Sequence, residues 1–169
     1  MLTRISRQMT FALLSVCLAA ASSLAQDAGK VINQYVKAVG GAGRVSKVRA
    51  LSLEGTLTRA CDGKTGTFTL DTKSPNRYYL ELLVGEHPEI LAYNGKSAWQ
   101  MSTGQASTLL EQDALQLEAS AFLANSHLLD LGKNKVGLAY AGGTKLEGFD
   151  AHQLELTMPT GVKRQLFFD

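Results

Sequence analysis

Seventeen Lys and Arg against 15 Asp and Glu leave this 169-residue chain almost neutral, with a formal charge of +2 at pH 7. Arg4 and Arg7 fall within the first 25 residues, which hold no acid, so the remainder carries 15 bases and 15 acids. Neither that balance nor any run of Lys or Arg supplies the basic footprint that nucleic acids or anionic membranes attract, so no nucleic-acid partner is expected.

Residues 1–25 read as a secretory signal peptide. Arg4 and Arg7 form a positive n-region, Phe11 to Ala21 an apolar h-region, and Ser23-Leu24-Ala25 a small-x-small cleavage site. The apolar run is shorter than the roughly 20 residues a membrane span needs. Cleavage near Gln26 predicts a protein that works outside the cytoplasm. Leu14-Ser15-Val16-Cys17 departs from a lipobox, because Val16 stands where a small residue is required. Loss of Cys17 leaves Cys61 without an intrachain partner, either as a buried small hydrophobe or as a thiol that pairs between molecules. Residues 26–169 are expected to form one domain with a single core.

Asp27 to Val39 places Val31, Ile32, Tyr35, Val36 and Val39 at helical spacing, closed by Gly40-Gly41. From Leu51 the period changes to two. Leu51, Leu53 and Leu57 alternate with Ser52, Glu54, Thr56 and Thr58, and Phe68 and Leu70 alternate with Thr67, Thr69 and Asp71. Cys61 to Gly66 supplies the turn between them. Further strands are predicted over Tyr78–Val84, Ile90–Tyr93 and Ser97–Met101, the last two joined by Asn94-Gly95. Glu111 to Asn125 returns to helical spacing with Leu110, Ala114, Leu117 and Ala121. Leu128 to Gly132 follows as a short turn or loop. Lys135–Leu146, Phe149–Met158 and Val162–Phe168 then read as three strands joined by short turns. The fold class is therefore α+β: a curved antiparallel sheet, an incomplete barrel, with a few helices on its concave side. Leu166-Phe167-Phe168-Asp169 ends without a polar tail. Either another element covers Phe168 or the domain is truncated at its C-terminal hairpin, and the second reading is preferred.

Catalytic signatures are absent from the pattern. Gly63-Lys64-Thr65 lacks the glycine of a phosphate-binding loop, since Thr58 stands five positions before Gly63. Gly40-Gly41-Ala42-Gly43 follows a helix and lacks the third spaced glycine of a dinucleotide fingerprint. His87, His127 and His152 fall on separate elements, so neither metal nor cofactor is implied. No Gly-x-Ser-x-Gly elbow occurs, Cys61 has no local base, and Glu54, Asp71, Glu81 and Glu155 sit on the polar phase of strands. A non-enzymatic role is expected. Gly55, Gly66, Gly85 and Gly95 interrupt or bound strands where sheets curve. Such a sheet is compatible with an ordinary packed core and with retained apolar volume for a ligand.

The order of elements resembles the periplasmic lipoprotein carriers and outer-membrane receptors of the LolA/LolB type, together with LolA-like outer-membrane lipoprotein-sorting proteins. The resemblance rests on Leu53-Glu54-Gly55-Thr56-Leu57, Lys73-Ser74-Pro75-Asn76-Arg77-Tyr78, Tyr93 to Trp99, Leu146 to Leu154 and the terminal Leu166-Phe167-Phe168-Asp169. It implies a monomeric periplasmic protein that holds lipoprotein acyl chains or another lipid in an apolar cavity. The cavity residues it implies are Leu53, Leu57, Phe68, Leu70, Leu80, Leu82, Trp99, Met101, Leu117 and Phe122, with Arg77 as a polar gate. A second role within the same fold is that of an envelope sensor or scaffold binding a membrane-protein partner. Absence of a lipobox argues against the anchored receptor.

Overall fold

The computed structural model describes residues 27–169, and the predicted signal peptide, with Cys17 and the cleavage site, lies outside the described residues. Helix α1 spans 27–38. It is followed by α2 (Ala42–Val45), strands β1 (Ala50–Thr58), β2 (Thr65–Lys73), β3 (Arg77–Leu83), β4 (Glu89–Tyr93), β5 (Ala98–Ser102) and β6 (Gln105–Thr108), helix α3 (Glu111–Ser126), and strands β7 (Gly137–Leu146), β8 (Phe149–Thr157) and β9 (Lys163–Phe168). All the pairings are antiparallel and sequential, in a six-stranded sheet β1 to β6 and a three-stranded sheet β7 to β9, and neither closes into a barrel. Two compact units result: Gly40–Asn134, and the described part of residues 1–39 together with Lys135–Asp169.

In the unit built from α1 and β7 to β9, the helix stops two residues before Gly40, whose φ of 110° is open to glycine at little steric cost. Val31, Ile32 and Val36 are buried at the predicted helical spacing. The ladder pairs Leu138 with Leu156, and Tyr140 with Leu154, which in turn pairs Leu166. Leu154 and Leu156 are both 0% exposed. Between Tyr140 and Gly142 the register shifts by one residue, a bulge whose Gly142 has φ 116°. Phe168 is half-buried and meets Tyr35 edge-on at a ring separation of 5.5 Å, so α1 covers this face of the terminal strand.

In Gly40–Asn134, hairpin chemistry sets the order of strands. The β1–β2 turn is held by Asp62, which accepts hydrogen bonds from the Arg59 guanidinium and the Lys64 N–H. The bond from Arg59 holds the Asp62 carboxyl below the usual carboxylate range. Cys61 lies exposed in this turn, which corrects the expectation of a buried small side chain. At the β4–β5 turn Asn94 Oδ1 accepts the N–H groups of Lys96 and Ser97, both at 2.9 Å, and Gly95 has φ 96°. Strand β6 and the single-turn α2 were not expected. Thr103-Gly104 makes the β5–β6 turn with φ 51° and 80°, and a β-branched threonine in that conformation is a poor turn signal.

Helix α3 places Glu111 and Asp113 in its first turn, where acidic groups complement the helix dipole, and ends at His127 with φ 50°. Its buried Leu117 and Ala121 pack with Tyr93 and Ala98, joined by Tyr78, Leu91, Leu109 and Ala114. Among the described residues no helix is long and apolar enough to cross a membrane.

Candidate functional site

Because side chains alternate across a strand, the register assigns each residue of the six-stranded sheet to a face. Leu53 pairs Leu70, Leu70 pairs Leu80 and Leu80 pairs Leu91, a row of four leucines crossing four strands on one face. Beside it run Gly55, Phe68 and Leu82, and Leu57 lies further along β1. A Cβ on Gly55 would come within 2.7 Å of the Phe68 ring, so the glycine admits that ring to the face. Helix α3 lies on the same face, over Tyr93 and Ala98. Its cover is partial. Tyr93 is 8% exposed, whereas Leu51 and Leu53 are 37% and 44% exposed, and Phe68, Leu70, Leu80 and Leu82 are only half-buried.

Not all the residues expected in one cavity share this face. Trp99 pairs Ala92, which pairs Tyr79 and then Asp71; Met101 pairs Ile90, which pairs Glu81 and then Thr69. Both therefore stand on the opposite, largely polar face, and Trp99 is 43% exposed. The reason is turn length. Four residues, Asn94 to Ser97, separate the paired Tyr93 and Ala98, so even-numbered β5 positions share the leucine face. Leu117 belongs to the packed cluster under α3, next to a 350 Å³ cavity that it lines with Leu91, Gln100 and Leu109. Arg77 is exposed and pairs Lys73 at the start of β3, on the Trp99 face. There it lines an open 530 Å³ groove with Asp71, Lys73 and Tyr79. Its carbonyl accepts a hydrogen bond from Asn125 Nδ2 of α3 at 2.9 Å.

Phe122, the other helical residue expected in the site, points to a separate place. It lines a 410 Å³ cavity with Arg49 and Val48 before β1, Pro75 and Asn76 of the β2–β3 turn, and His127 and Asp130 after α3. The loop that closes this cavity is unusual in its backbone. His127, Leu128 and Asp130 have φ of 50°, 58° and 55°, a left-handed conformation that non-glycine residues adopt at a cost of order 1–3 kcal/mol each. Hydrogen bonds hold it so: Asn134 donates its N–H and its Nδ2 to the Asp130 carbonyl at 3.0 and 2.9 Å, and the Leu128 N–H donates to Ser126 Oγ at 3.3 Å. The side chains of Arg49 and Asp130 form no hydrogen bond or ion pair with another described residue. Nothing in the local pattern signalled this group, because its members come from three separated segments.

On the polar face, the Tyr79 hydroxyl donates a hydrogen bond to Glu81 that pushes its pKa up to about 12. Burial raises Tyr78 and Tyr93 as well. In the other unit, Tyr140 Oη and His152 Nδ1 lie 2.9 Å apart, and His152 borders a 310 Å³ cavity with Tyr35 and Phe168. Among the described residues no three His, Cys, Asp or Glu side chains gather as a metal-binding group. No protein-family model matches the chain, and no curated protein matches it at a significant level.

Proposed function

We propose that the protein is a non-enzymatic binding or carrier protein for a lipophilic ligand, acting in the periplasm, with the leucine face of the six-stranded sheet as its binding surface. The observation behind this reading is the half-exposed row of Leu53, Leu70 and Leu80 with Leu51 and Phe68, on the same face as the buried cluster under α3. Apolar side chains held partly in water on the face that elsewhere forms the core are a surface poised for apolar cover. Each methylene of an acyl chain laid on that face contributes about 0.8 kcal/mol when removed from water, so a chain of modest length supplies useful affinity. The resemblance to LolA-like carriers agrees with this reading and adds its finer parts: a sheet curved into an incomplete barrel, helices on the concave side, and lipoprotein acyl chains as cargo.

Native mass spectrometry of protein purified without detergent, paired with lipid extraction, tests the proposal. Extra mass that extracts as acyl lipid or lipopeptide, and that is lost in Leu53→Asp, is the expected result. A folded protein that takes up no lipid when offered it refutes the carrier role and leaves the sensor or scaffold role.

A further inference from the structure

We infer, on the lipophilic-ligand reading, that the ligand is an amphiphile with a zwitterionic phosphate head of the phosphoethanolamine type, seated in the 410 Å³ cavity between the β2–β3 turn and the end of α3. The position of the cavity follows from the ladder. The Ser74 N–H donates to the Arg49 carbonyl at 2.9 Å, which extends the β1–β2 pairing to the residue before β1. Arg49 is two residues from Leu51 and four from Leu53, so it stands on the leucine phase of the strand at the end of the apolar face. A chain lying along the leucines ends there, and Phe122 lends the cavity an apolar wall.

The charge pattern selects the head. Arg49 and Asp130 line one cavity as opposite, exposed charges, and the side chain of neither is hydrogen-bonded or ion-paired to another described residue. A purely anionic head would meet the Asp130 carboxylate, a cationic head would meet the Arg49 guanidinium, and a neutral head would satisfy neither. A head carrying both signs satisfies both, with the planar guanidinium suited to two phosphate oxygens and the carboxylate to an ammonium. His127 and Asn76 line the same cavity and add polar side chains to it. Left-handed backbone at His127, Leu128 and Asp130 sets the loop that presents the carboxylate, and strain of this kind gathers where a binding group must be held in place. The volume lies near the lower end of the roughly 300–1,000 Å³ typical of small-molecule sites, which suits a head group whose chain lies outside on the leucine row.

Calorimetric titration below the micelle concentration, with four probes, tests this. Three are monoacyl lipids of one chain length bearing phosphoethanolamine, phosphoglycerol or plain glycerol, and the fourth is glycerophosphoethanolamine without a chain. The phosphoethanolamine lipid is expected to bind about ten-fold more tightly than either other lipid. Asp130→Asn should erase its advantage over the phosphoglycerol lipid. Arg49→Gln should weaken both phosphate lipids and leave the glycerol lipid unchanged. Equal binding of all three lipids, unmoved by either substitution, overturns the head-group site while the apolar surface stands. Binding of the chainless probe as tight as that of its lipid overturns the amphiphile in favour of a free zwitterion. Failure of every lipid to bind overturns the lipophilic reading itself.

Discussion

The two sheets treat their leucines differently. In the three-stranded sheet the central Leu154 and Leu156 are completely buried and only Leu146, at the end of β7, is largely exposed among its leucines, while in the six-stranded sheet Leu51 and Leu53 stay more than a third exposed on the face that carries the core. Simple dimensions account for much of this. Strands about 4.8 Å apart make a three-stranded sheet about 10 Å across, close to the width of one helix, whereas six strands span about 24 Å. Helix α3, with 16 residues, is about 24 Å long and about 10 Å wide, and it reaches β2 to β5 without covering the ends of the sheet. The first arrangement is a filled core whose energy goes to stability. The second leaves apolar surface over, and that surplus is where binding is proposed.

The sharpest way to break this comparison is to truncate one leucine from each sheet. Leu154→Ala should cost about 2–5 kcal/mol as a large-to-small change at a fully buried site, against about 1 kcal/mol for Leu53→Ala, both read from denaturant midpoints. Equal costs would mean that the leucine row is as well packed as the core. Next in size is Gly55→Val. It drives a Cβ into the Phe68 ring and should destabilise by about 1–3 kcal/mol, and substituting Phe68→Leu in the same chain should recover part of the loss. Trp99→Ala should be milder, within about 1 kcal/mol, and should leave ligand affinity unchanged because the ring stands on the opposite face; a loss of affinity would put Trp99 in the binding surface after all.

The smallest effect is a titration. Tyr79, held protonated by its hydrogen bond to Glu81, should form tyrosinate near pH 12, and Glu81→Gln should return it toward 10 in ultraviolet absorbance. Since the folded chain keeps this proton after the unfolded chain has lost it, the contribution to stability is complete below pH 10 and is lost as the pH rises toward 12. A Tyr79 titration unmoved by Glu81→Gln would show that the pair does not form on this face.

Local rules made much of this fold legible. Period-two alternation in Leu51–Leu57 and Phe68–Leu70, the Asn94-Gly95 turn and the helical spacing of Leu117 and Ala121 each depend on neighbours within a few residues, and each element formed where it was expected. The face of Trp99 and Met101 was not legible, because a strand's phase relative to its partner is set by the length of the intervening turn, and the ladder closes at Ala98 rather than Ser97. Division of the strands into two sheets was hidden for a related reason: α3 and the loop after it separate β6 from β7, and ladder continuity across such a stretch has no local signature.

By itself, then, the sequence determined the alternation of helix and strand, the antiparallel hairpins and the apolar phase of β1 to β3, since these follow from side-chain periodicity and turn chemistry. Only the tertiary structure decided which leucines stay uncovered and that Arg49, Phe122, His127 and Asp130 meet around one cavity. Those outcomes depend on how far a helix reaches across a sheet and on contacts between segments far apart in the chain, and neither is written in any short window of residues.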